Sequence, residues 1–250
     1  MRIIFLGNNR VALETLRWLK GQDVEIVALV IHPQEKQRLT DELVALADLP
    51  ASRVIEAPRL RDPECLSQIR EWQPDLGLSV YFGYILKPEF LELFPRGVMN
   101  LHPSLLPYNR GANPNVWSII DRTPAGASLH YVDRGIDTGD LIAQREVEVL
   151  PWDTGFTLYG KLEEAAITLF QENWASIRRG AIPRHIQPSE AGTSHTTREM
   201  AQLDCIDLER SYTGRELIDL LRSRTFPPYR NSYFLAEGRK VYLRLELDPE

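Results

Sequence analysis

Short apolar runs and amphipathic stretches alternate along the first hundred residues of the chain. Runs rich in Val, Ile and Leu predict β-strands over residues 2–7, 24–31, 53–57, 76–80 and 97–102. Apolar residues at helical spacing predict helices between these strands, over residues 11–20, 41–47, 64–72 and 87–93. Near-continuous apolar strands that alternate with helices indicate an α/β fold with a mostly parallel sheet, which binds its ligands at the carboxyl ends of the strands.

The pattern changes in the middle of the chain. Residues 126–133 and 140–149 predict two strands of an antiparallel pair, joined by a polar loop. Residues 154–180 carry apolar side chains at helical spacing and end in Gly180, which is typical of a helix terminus. We therefore expect a long helix that packs on the sheet.

The C-terminal quarter predicts a small separate unit. Residues 183–204 are polar and contain turn-forming residues, so they predict an exposed connector. A helix over residues 214–224 precedes a β-hairpin that turns at Glu237–Gly238. The expected organisation is a main domain over residues 1–182, the connector, and a small helix and hairpin subdomain over residues 205–250.

Two polar side chains lie at the end of the fifth predicted strand. Asn100 and His102 are two positions apart, so they project from the same face, at the edge where such a sheet binds ligands. With Asp137, which follows the next predicted strand, they form a candidate catalytic group. The alternative is that Asn100 and Asp137 make turn hydrogen bonds while His102 is a hydrogen-bonded core histidine.

Composition and charge narrow the possible functions. The 250 residues are 43% hydrophobic, enough for a substantial core, and their net charge of −6 lacks the basic footprint typical of nucleic-acid binding. Cys65 and Cys205 form no CxxC pattern, which favours a reducing, cytoplasmic location without disulfides. We expect no signal peptide, no membrane span and, because His130, His185 and His195 lack ligand spacing, no metal site.

Two segments that flank the candidate group resemble a known family. "NLHPSLLP" and "HYVDRGIDTGDLIAQ" are similar to the signature segments of folate-dependent formyltransferases, which include glycinamide ribonucleotide, methionyl-tRNA and nucleotide-sugar formyltransferases. "PYNRGANPNVWSII" and "LRSRTFPPYRNSYF" are most similar to the nucleotide-sugar (dTDP-amino-sugar) N-formyltransferases. The resemblance implies a Rossmann-like formyltransferase fold, with residues 1–182 as the catalytic domain.

The resemblance also implies a reaction and three catalytic residues. A formyl group would pass from N10-formyltetrahydrofolate to the amine of a nucleotide-linked amino-dideoxy sugar, with the amine at C3 or C4, feeding lipopolysaccharide O-antigen or other cell-surface glycan synthesis. The catalytic Asn, His and Asp of the family fall on Asn100, His102 and Asp137. The amide and imidazole N–H groups would stabilise the negative oxygen of a tetrahedral intermediate. The carboxylate would favour the charged imidazole and accept the proton of the attacking amine.

Two sets of binding residues follow from the family segments and from composition. The folate set lies in "SVYFGYIL" and in the loop over residues 131–137, and comprises Tyr81, Phe82, Gly83, Tyr84, Ile85, Leu86 and Asp133. The acceptor set comprises Asn9, Arg10, Tyr108, Asn109, Arg110, Phe226 and Tyr229. Structural alternatives remain: core packing for Phe82, Ile85 and Leu86, a helix cap at Asn9 and Arg10, a salt bridge for Arg110, and an anchored turn for Phe226 and Tyr229.

The main alternative function is that of a methionyl-tRNA formyltransferase. That family normally adds a C-terminal β-barrel that grips tRNA, whereas here a short segment over residues 205–250 carries eight basic and eight acidic residues. A binding module that has lost catalysis and the formylation module of a peptide synthetase are further alternatives. The predicted hairpin over residues 232–247 offers an exposed edge, so we expect a homodimer that uses it. The expected binding partner is a nucleotide sugar, and we expect no binding to nucleic acid.

Overall fold

A seven-stranded, mostly parallel sheet forms the centre of the fold. The computed structural model describes residues 1–188 and 192–249. Its strands are β1 (Arg2–Gly7), β2 (Glu25–Ile31), β3 (Val54–Glu56), β4 (Leu76–Val80), β5 (Val98–His102), β7 (Ala125–Tyr131) and β8 (Leu141–Val147), and the short strand β6 (Arg110–Gly111) lies outside this sheet. The sheet order is β3-β2-β1-β4-β5-β7-β8; β1 to β5 are parallel, and β7 pairs antiparallel with β5. The predicted α/β fold with a mostly parallel sheet is confirmed.

Eight α-helices lie in the described ranges. They are α1 (Arg10–Lys20), α2 (Thr40–Ala47), α3 (Pro63–Glu71), α4 (Pro88–Leu91), α5 (Pro114–Ile120), α6 (Gly155–Arg179), α7 (Thr197–Gln202) and α8 (Gly214–Arg224). The predicted helices are present, α6 ending before Gly180, whose φ of +75° lies in the left-handed region that favours glycine. Helix α5 was not expected, because Pro114 and Asn115 at its start are also typical of turns; Pro114 occupies the first turn, where a proline is tolerated.

The chain divides into two compact units. The first comprises Met1–His102, Ser128–Gln144 and Ala166–Gln187. Its core contains side chains of β1, β2 and β5 together with Phe82, Leu86, Phe90 and Phe94. The apolar runs that predicted the strands are therefore runs of buried residues.

The second unit comprises Pro103–Ala127, Arg145–Ala165 and Pro188–Glu250. A small apolar cluster in it contains Ile119, Ala125, Leu158 and Leu162. The same unit contains a buried ion pair between Arg222 and Asp219, and Asp219 also accepts from the exposed Arg122.

The residues expected to form an exposed connector contain regular structure. His185 makes an isolated β-bridge with Leu141. Strand β9 (Ser194–His195) pairs parallel with β6, and α7 begins with a capping box formed by Thr196 and Glu199. The short strand and the β-bridge rely on pairing with distant residues, so no local periodicity indicates them.

The C-terminal hairpin is shorter than expected. It comprises β10 (Tyr233–Ala236) and β11 (Arg239–Tyr242), which pair antiparallel. Glu237 and Gly238 both have positive φ, at 49° and 73°, as a two-residue type I′ turn requires. The regular strand ends at Tyr242, although the apolar alternation of the sequence continues to residue 247.

Candidate active site

The three candidate catalytic side chains meet at the end of β5. Asn100 and His102 project from one face of this strand, while Met99 and Leu101 are buried on the other face. Asn100 Nδ2 donates to Asp137 Oδ1 at 3.4 Å, and His102 Nε2 lies 3.6 Å from Asp137 Oδ2. Both nitrogen atoms thus face the same carboxylate, and the His102 and Asp137 side chains are only 8% and 15% exposed.

Two hydrogen bonds fix the orientation of the Asn100 amide. Ser79 Oγ, on the neighbouring strand β4, donates to Asn100 Oδ1 at 2.8 Å. His130 Nδ1 lies 2.8 Å from the carbonyl oxygen of Tyr131, so this nitrogen carries the proton. His130 Nε2 is then an acceptor for Asn100 Nδ2 at 3.2 Å. With Oδ1 held by Ser79, the Nδ2 group faces His130 and Asp137.

His130 was assigned no role from the sequence, yet its Nε2 lies 3.6 Å from Asp137 Oδ1. The strand register brings His130 to this site, and the sequence does not reveal that register. β7 runs antiparallel to β5, which sets His130 directly opposite Asn100 and Ser128 opposite His102. Ser79 was missed for the same reason, since it is the cross-strand partner of Asn100 on the other side.

We predict that loss of the Ser79 hydroxyl has a modest effect on catalysis. We expect Ser79→Val to lower kcat about twofold to tenfold relative to Ser79→Thr, because the net value of one hydrogen bond is about 0.5–1.5 kcal/mol. The two variants add similar volume at this buried position and differ in the hydroxyl group. Steady-state formyl-transfer kinetics of the pair would test the effect, and equal kcat values would show that Ser79 does not hold the amide.

The loop that carries Asp137 has a preset backbone shape. Asp137 itself has a φ of +53°, in the left-handed region that asparagine and aspartate tolerate better than most residues. Asp133 Oδ1 accepts from Gly135 N at 2.9 Å and from Thr138 Oγ1 at 2.7 Å. A Cβ atom at Gly139 would lie 1.9 Å from the Tyr131 carbonyl oxygen, so only glycine fits there.

A cleft opens beside Asn100 and Asp137, with an empty volume of about 480 Å³ that is partly open to solvent. It is lined by Ser79, Phe82, Tyr84, Ile85, Leu86, Asn100, His130, Val132, Asp133, Gly135, Ile136 and Asp137. Five members of the predicted folate set therefore line it, and Tyr81 and Gly83 do not. Phe82 and Leu86 are also core residues, 7% and 8% exposed, so the core interpretation describes them and their binding role stays a prediction. Ile85 is 62% exposed.

His32, which no sequence motif indicates, supports the aromatic wall of this cleft. The His32 ring centroid lies 4.5 Å from that of Phe82 and 5.2 Å from that of Tyr84. Asn8 Oδ1 accepts from the backbone N–H of Arg38, so its Nδ2 group donates to His32 Nδ1 at 2.8 Å. His32 is therefore neutral and carries its proton on Nε2.

Because His32 is half-buried, we predict that the free energy of unfolding decreases in acid. Burial lowers the pKa of His32 below its usual 6.5, and the charges of Lys36 and Arg38 lower it further, while the backbone of Lys36 partly opposes them. Below about pH 6.5 the unfolded chain binds a proton that the folded chain resists, so stability falls as pH decreases and is unaffected above that range. Urea unfolding between about pH 7.5 and 5 should therefore show a smaller acid loss for His32→Phe than for the wild type. Identical losses would contradict this role.

The first two acceptor-set residues lie at the start of α1. Asn9 caps this helix, because its Oδ1 accepts from Ala12 N at 3.1 Å, and its Nδ2 donates to the Tyr81 carbonyl oxygen at 3.2 Å. Arg10 is exposed. Asn9 is thus a helix cap, as the structural alternative proposed. Arg10 stays a predicted contact of the acceptor substrate.

Asn109 has a different role from the one expected. It is 0% exposed, its Nδ2 donates to Ser118 Oγ at 3.0 Å and to Thr123 Oγ1 at 2.7 Å, and its backbone N–H donates to Thr193 Oγ1. A buried amide with these partners supports the loop rather than reaching a ligand. Burial at this position follows from tertiary contacts, which the sequence pattern did not reveal. Tyr108 and Arg110, its half-buried neighbours, remain predictions.

Phe226 belongs to an aromatic cluster in the second unit. Its ring centroid lies 5.3 Å from Phe156, 5.6 Å from Tyr159 and 6.1 Å from Tyr229. This packing supports the anchored-turn interpretation of Phe226. Tyr229 is 60% exposed, which leaves most of its side chain accessible.

Two family models match the chain. One, described as "Formyl transferase", matches residues 1–173, and one described as an "N-formyltransferase dimerization C-terminal domain" matches residues 199–249. In the part of the chain that the structure describes, no helix combines the length and apolar character needed to cross a membrane.

Relatives and solved structures agree with these matches. A dTDP-4-amino-4,6-dideoxyglucose formyltransferase of Mycobacterium tuberculosis is 34% identical over 80% of this chain and 85% of its own length. A methionyl-tRNA formyltransferase of Acetivibrio thermocellus is 30% identical over 100% and 81%, respectively. The structure of a 4-N formyltransferase from Francisella tularensis matches with a TM-score of 0.86 and 30% identity, covering 100% of this chain and 98% of that one.

A further solved structure contains bound molecules. It is the formyltransferase PseJ from Anoxybacillus kamchatkensis in complex with UDP-4,6-dideoxy-4-formamido-L-AltNAc and tetrahydrofolate. It matches with a TM-score of 0.61 and 29% identity, over 89% of this chain and 98% of that one.

Proposed function

The chain belongs to the formyl transferase family, and we propose that it transfers the formyl group of N10-formyltetrahydrofolate to the amine of a nucleotide-linked amino-dideoxy sugar. The observation that carries the proposal is the meeting of an amide, an imidazole and a carboxylate beside a cleft with an aromatic wall. The tetrahydrofolate bound by the PseJ enzyme supports a folate as the formyl donor. The amino-sugar formyltransferase among the relatives of this chain supports an amino sugar as the acceptor.

In the proposed reaction the sugar amine attacks the formyl carbon, a C–N bond forms, and the bond to folate N10 breaks. The carbonyl oxygen becomes negative in the tetrahedral intermediate and accepts hydrogen bonds from Asn100 and His102. The amine loses a proton, which Asp137 accepts directly or through a water molecule, and N10 gains a proton as it leaves. Ser79 and His130 hold the amide of Asn100 in the donating orientation before the substrate arrives.

We assign the cleft beside Asn100 to the folate donor. Phe82, Tyr84 and Leu86 offer an apolar and aromatic wall to a pteridine ring, while Asp133 and backbone groups of the loop offer polar contacts. Arg10, Tyr108, Arg110 and Tyr229 stay candidates for the acceptor. The acceptor proposed first is a dTDP-linked 4-amino-4,6-dideoxy sugar, because the M. tuberculosis relative acts on one. Its product would feed cell-surface glycans such as the O antigen, and we expect the reaction in the cytoplasm.

The formylation of methionyl-tRNA is the second candidate. The A. thermocellus relative supports it, since the identity covers the whole of this chain. The charge of residues 205–250 argues against this function. The segment contains eight basic and eight acidic residues, so it lacks the net positive charge that binds a phosphate backbone. The match of residues 199–249 to a dimerization domain also favours a protein partner for this region.

One experiment separates the two candidates. The enzyme is incubated with formylfolate and a panel of dTDP-, UDP- and GDP-linked amino sugars, with charged initiator tRNA as a parallel acceptor. We expect a formyl mass gain on a dTDP-linked 4-amino sugar and none on methionyl-tRNA. A salt-sensitive gel shift of the charged tRNA together with its formylation would reverse this order.

We further expect a homodimer that involves the C-terminal hairpin. Leu235 and Tyr242 are 55% and 44% exposed, and they lie on one face of β10 and β11. The dimerization model that matches residues 199–249 supports this surface. Light scattering should give twice the mass of one chain, and a monomer at high protein concentration would contradict the assignment.

A further inference from the structure

The segment of residues 184–187 is bonded to the region that carries Asp137. His185 and Leu141 exchange two backbone hydrogen bonds, of 2.8 and 3.0 Å. The Arg184 guanidinium lies 3.7 Å from the Tyr131 ring centroid and approaches the carboxylate of Asp140. The contacts made by Arg184 and His185 hold both ends of the loop between β7 and β8, which contains Asp137.

Gln187 holds the middle of that loop. Its side chain is buried, at 6% exposure. Its Nε2 group donates to the carbonyl oxygen of Asp137 at 2.9 Å and to that of Gly139 at 2.7 Å. A side-chain amide has two N–H donors on one nitrogen, so a single group is able to hold both carbonyls.

One of the held carbonyls belongs to Asp137 itself, and the other lies two residues further along the same loop. Asp137 has a left-handed backbone, at a φ of +53°, which persists only where surrounding contacts hold it. Its carboxylate must stay within hydrogen-bond reach of Asn100 and His102 for the proposed chemistry, and the relevant distances are 3.4 and 3.6 Å. A shift of the backbone at Asp137 would change the position of the carboxylate relative to both side chains.

We propose that Gln187 is a positioning residue for formyl transfer: its amide holds the backbone on both sides of Thr138 and thereby keeps the Asp137 carboxylate between Asn100 and His102. The turnover part of this inference rests on the proposed function. Gln187 acts through the loop, so its loss affects the chemical step more than it affects substrate binding. No sequence pattern indicates this role, since position 187 lies in a polar stretch expected to be exposed.

The test compares Gln187→Met and Gln187→Glu with the wild type. Methionine keeps the length of the side chain and removes both donors, and glutamate keeps its shape and presents oxygen atoms to two carbonyls. We expect kcat to fall roughly 10- to 100-fold with KM changed less than about twofold, as for a misplaced catalytic group. Hydrogen exchange of the backbone amides over residues 133–140 should become faster in both variants.

A matched control is Asn115→Leu in the second unit. Asn115 is also a buried amide, at 5% exposure, and its Nδ2 donates to the Gly155 carbonyl oxygen at 2.8 Å. We expect this variant to lose thermal stability while its kcat and the exchange of residues 133–140 stay unchanged. Stability loss alone is therefore distinguishable from loss of positioning.

The outcomes separate this inference from the proposed function. If the wild type formylates no sugar in the panel, the proposed function fails, and the exchange measurement still decides whether Gln187 holds the loop. Unchanged kcat in the folded variants, or unchanged loop exchange, would overturn the inference. Failure of both Gln187 variants to fold, when Asn115→Leu folds, would also overturn it and leave Gln187 as a residue of the fold alone.

Discussion

Replacing Asn100 with alanine is expected to lower kcat for formyl transfer about 10²- to 10³-fold, the usual cost of losing one donor to a developing oxyanion. The amide is held by Ser79 and His130 with its Nδ2 group beside Asp137, so the donor is in place before the substrate binds. Since the donor bonds more strongly to the intermediate than to the substrate, KM should change little. Steady-state kinetics with the preferred amino sugar would measure both constants.

Asn173→Ala is the control for this variant. Asn173 lies on α6 and donates to the Leu169 carbonyl oxygen of its own helix at 2.8 Å. Its loss should leave kcat and KM unchanged. A fall of less than about tenfold for Asn100→Ala would be too small for an oxyanion donor and would assign Asn100 a structural role.

Asp137→Asn should cause a loss of about 10²- to 10⁴-fold in kcat, the range expected when a proton acceptor is removed. The substitution keeps the shape of the side chain but removes its charge. Asparagine also tolerates the left-handed backbone at this position, so the loop should keep its conformation. The rate loss can therefore be read as chemistry, provided that the melting temperature stays close to that of the wild type.

Asp23→Asn provides the matched comparison for Asp137→Asn. Asp23 is an exposed carboxylate that pairs with Arg178 at 2.8 Å, and surface pairs of this kind contribute little. It should retain full activity. If Asp137→Asn retained more than about a tenth of the wild-type kcat, proton transfer to Asp137 would not limit the reaction, and the carboxylate would serve to orient His102.

The strands of the sheet and the helices between them could be predicted because their apolar residues are buried. The runs at β1, β2 and β4 are almost entirely inaccessible, and this is the property that periodicity reports. Helix α5 escaped prediction because its start contains proline and asparagine, which are typical of turns as well as of first helical positions. Strand β9 is two residues long and depends entirely on pairing with β6.

The candidate site could be predicted only as far as its motifs reach. Asn100, His102 and Asp137 lie in two recognisable segments, whereas Ser79 and His130 depend on which residues face each other across strands. The error at Asn109 has a related cause, because a loop asparagine that binds a ligand and one that is buried look alike in a sequence. Gln187 holds the catalytic loop from a stretch fifty positions away along the chain.

The glycine after Thr138 is required by space and not by chemistry. The first carbon of any side chain at Gly139 would collide with the Tyr131 carbonyl oxygen, whether or not the protein turns over a substrate. A glycine at this position of a related protein would therefore indicate that the loop keeps its shape, and would not by itself indicate activity. Under the proposed function, activity depends instead on the acidic residue two positions earlier, Asp137.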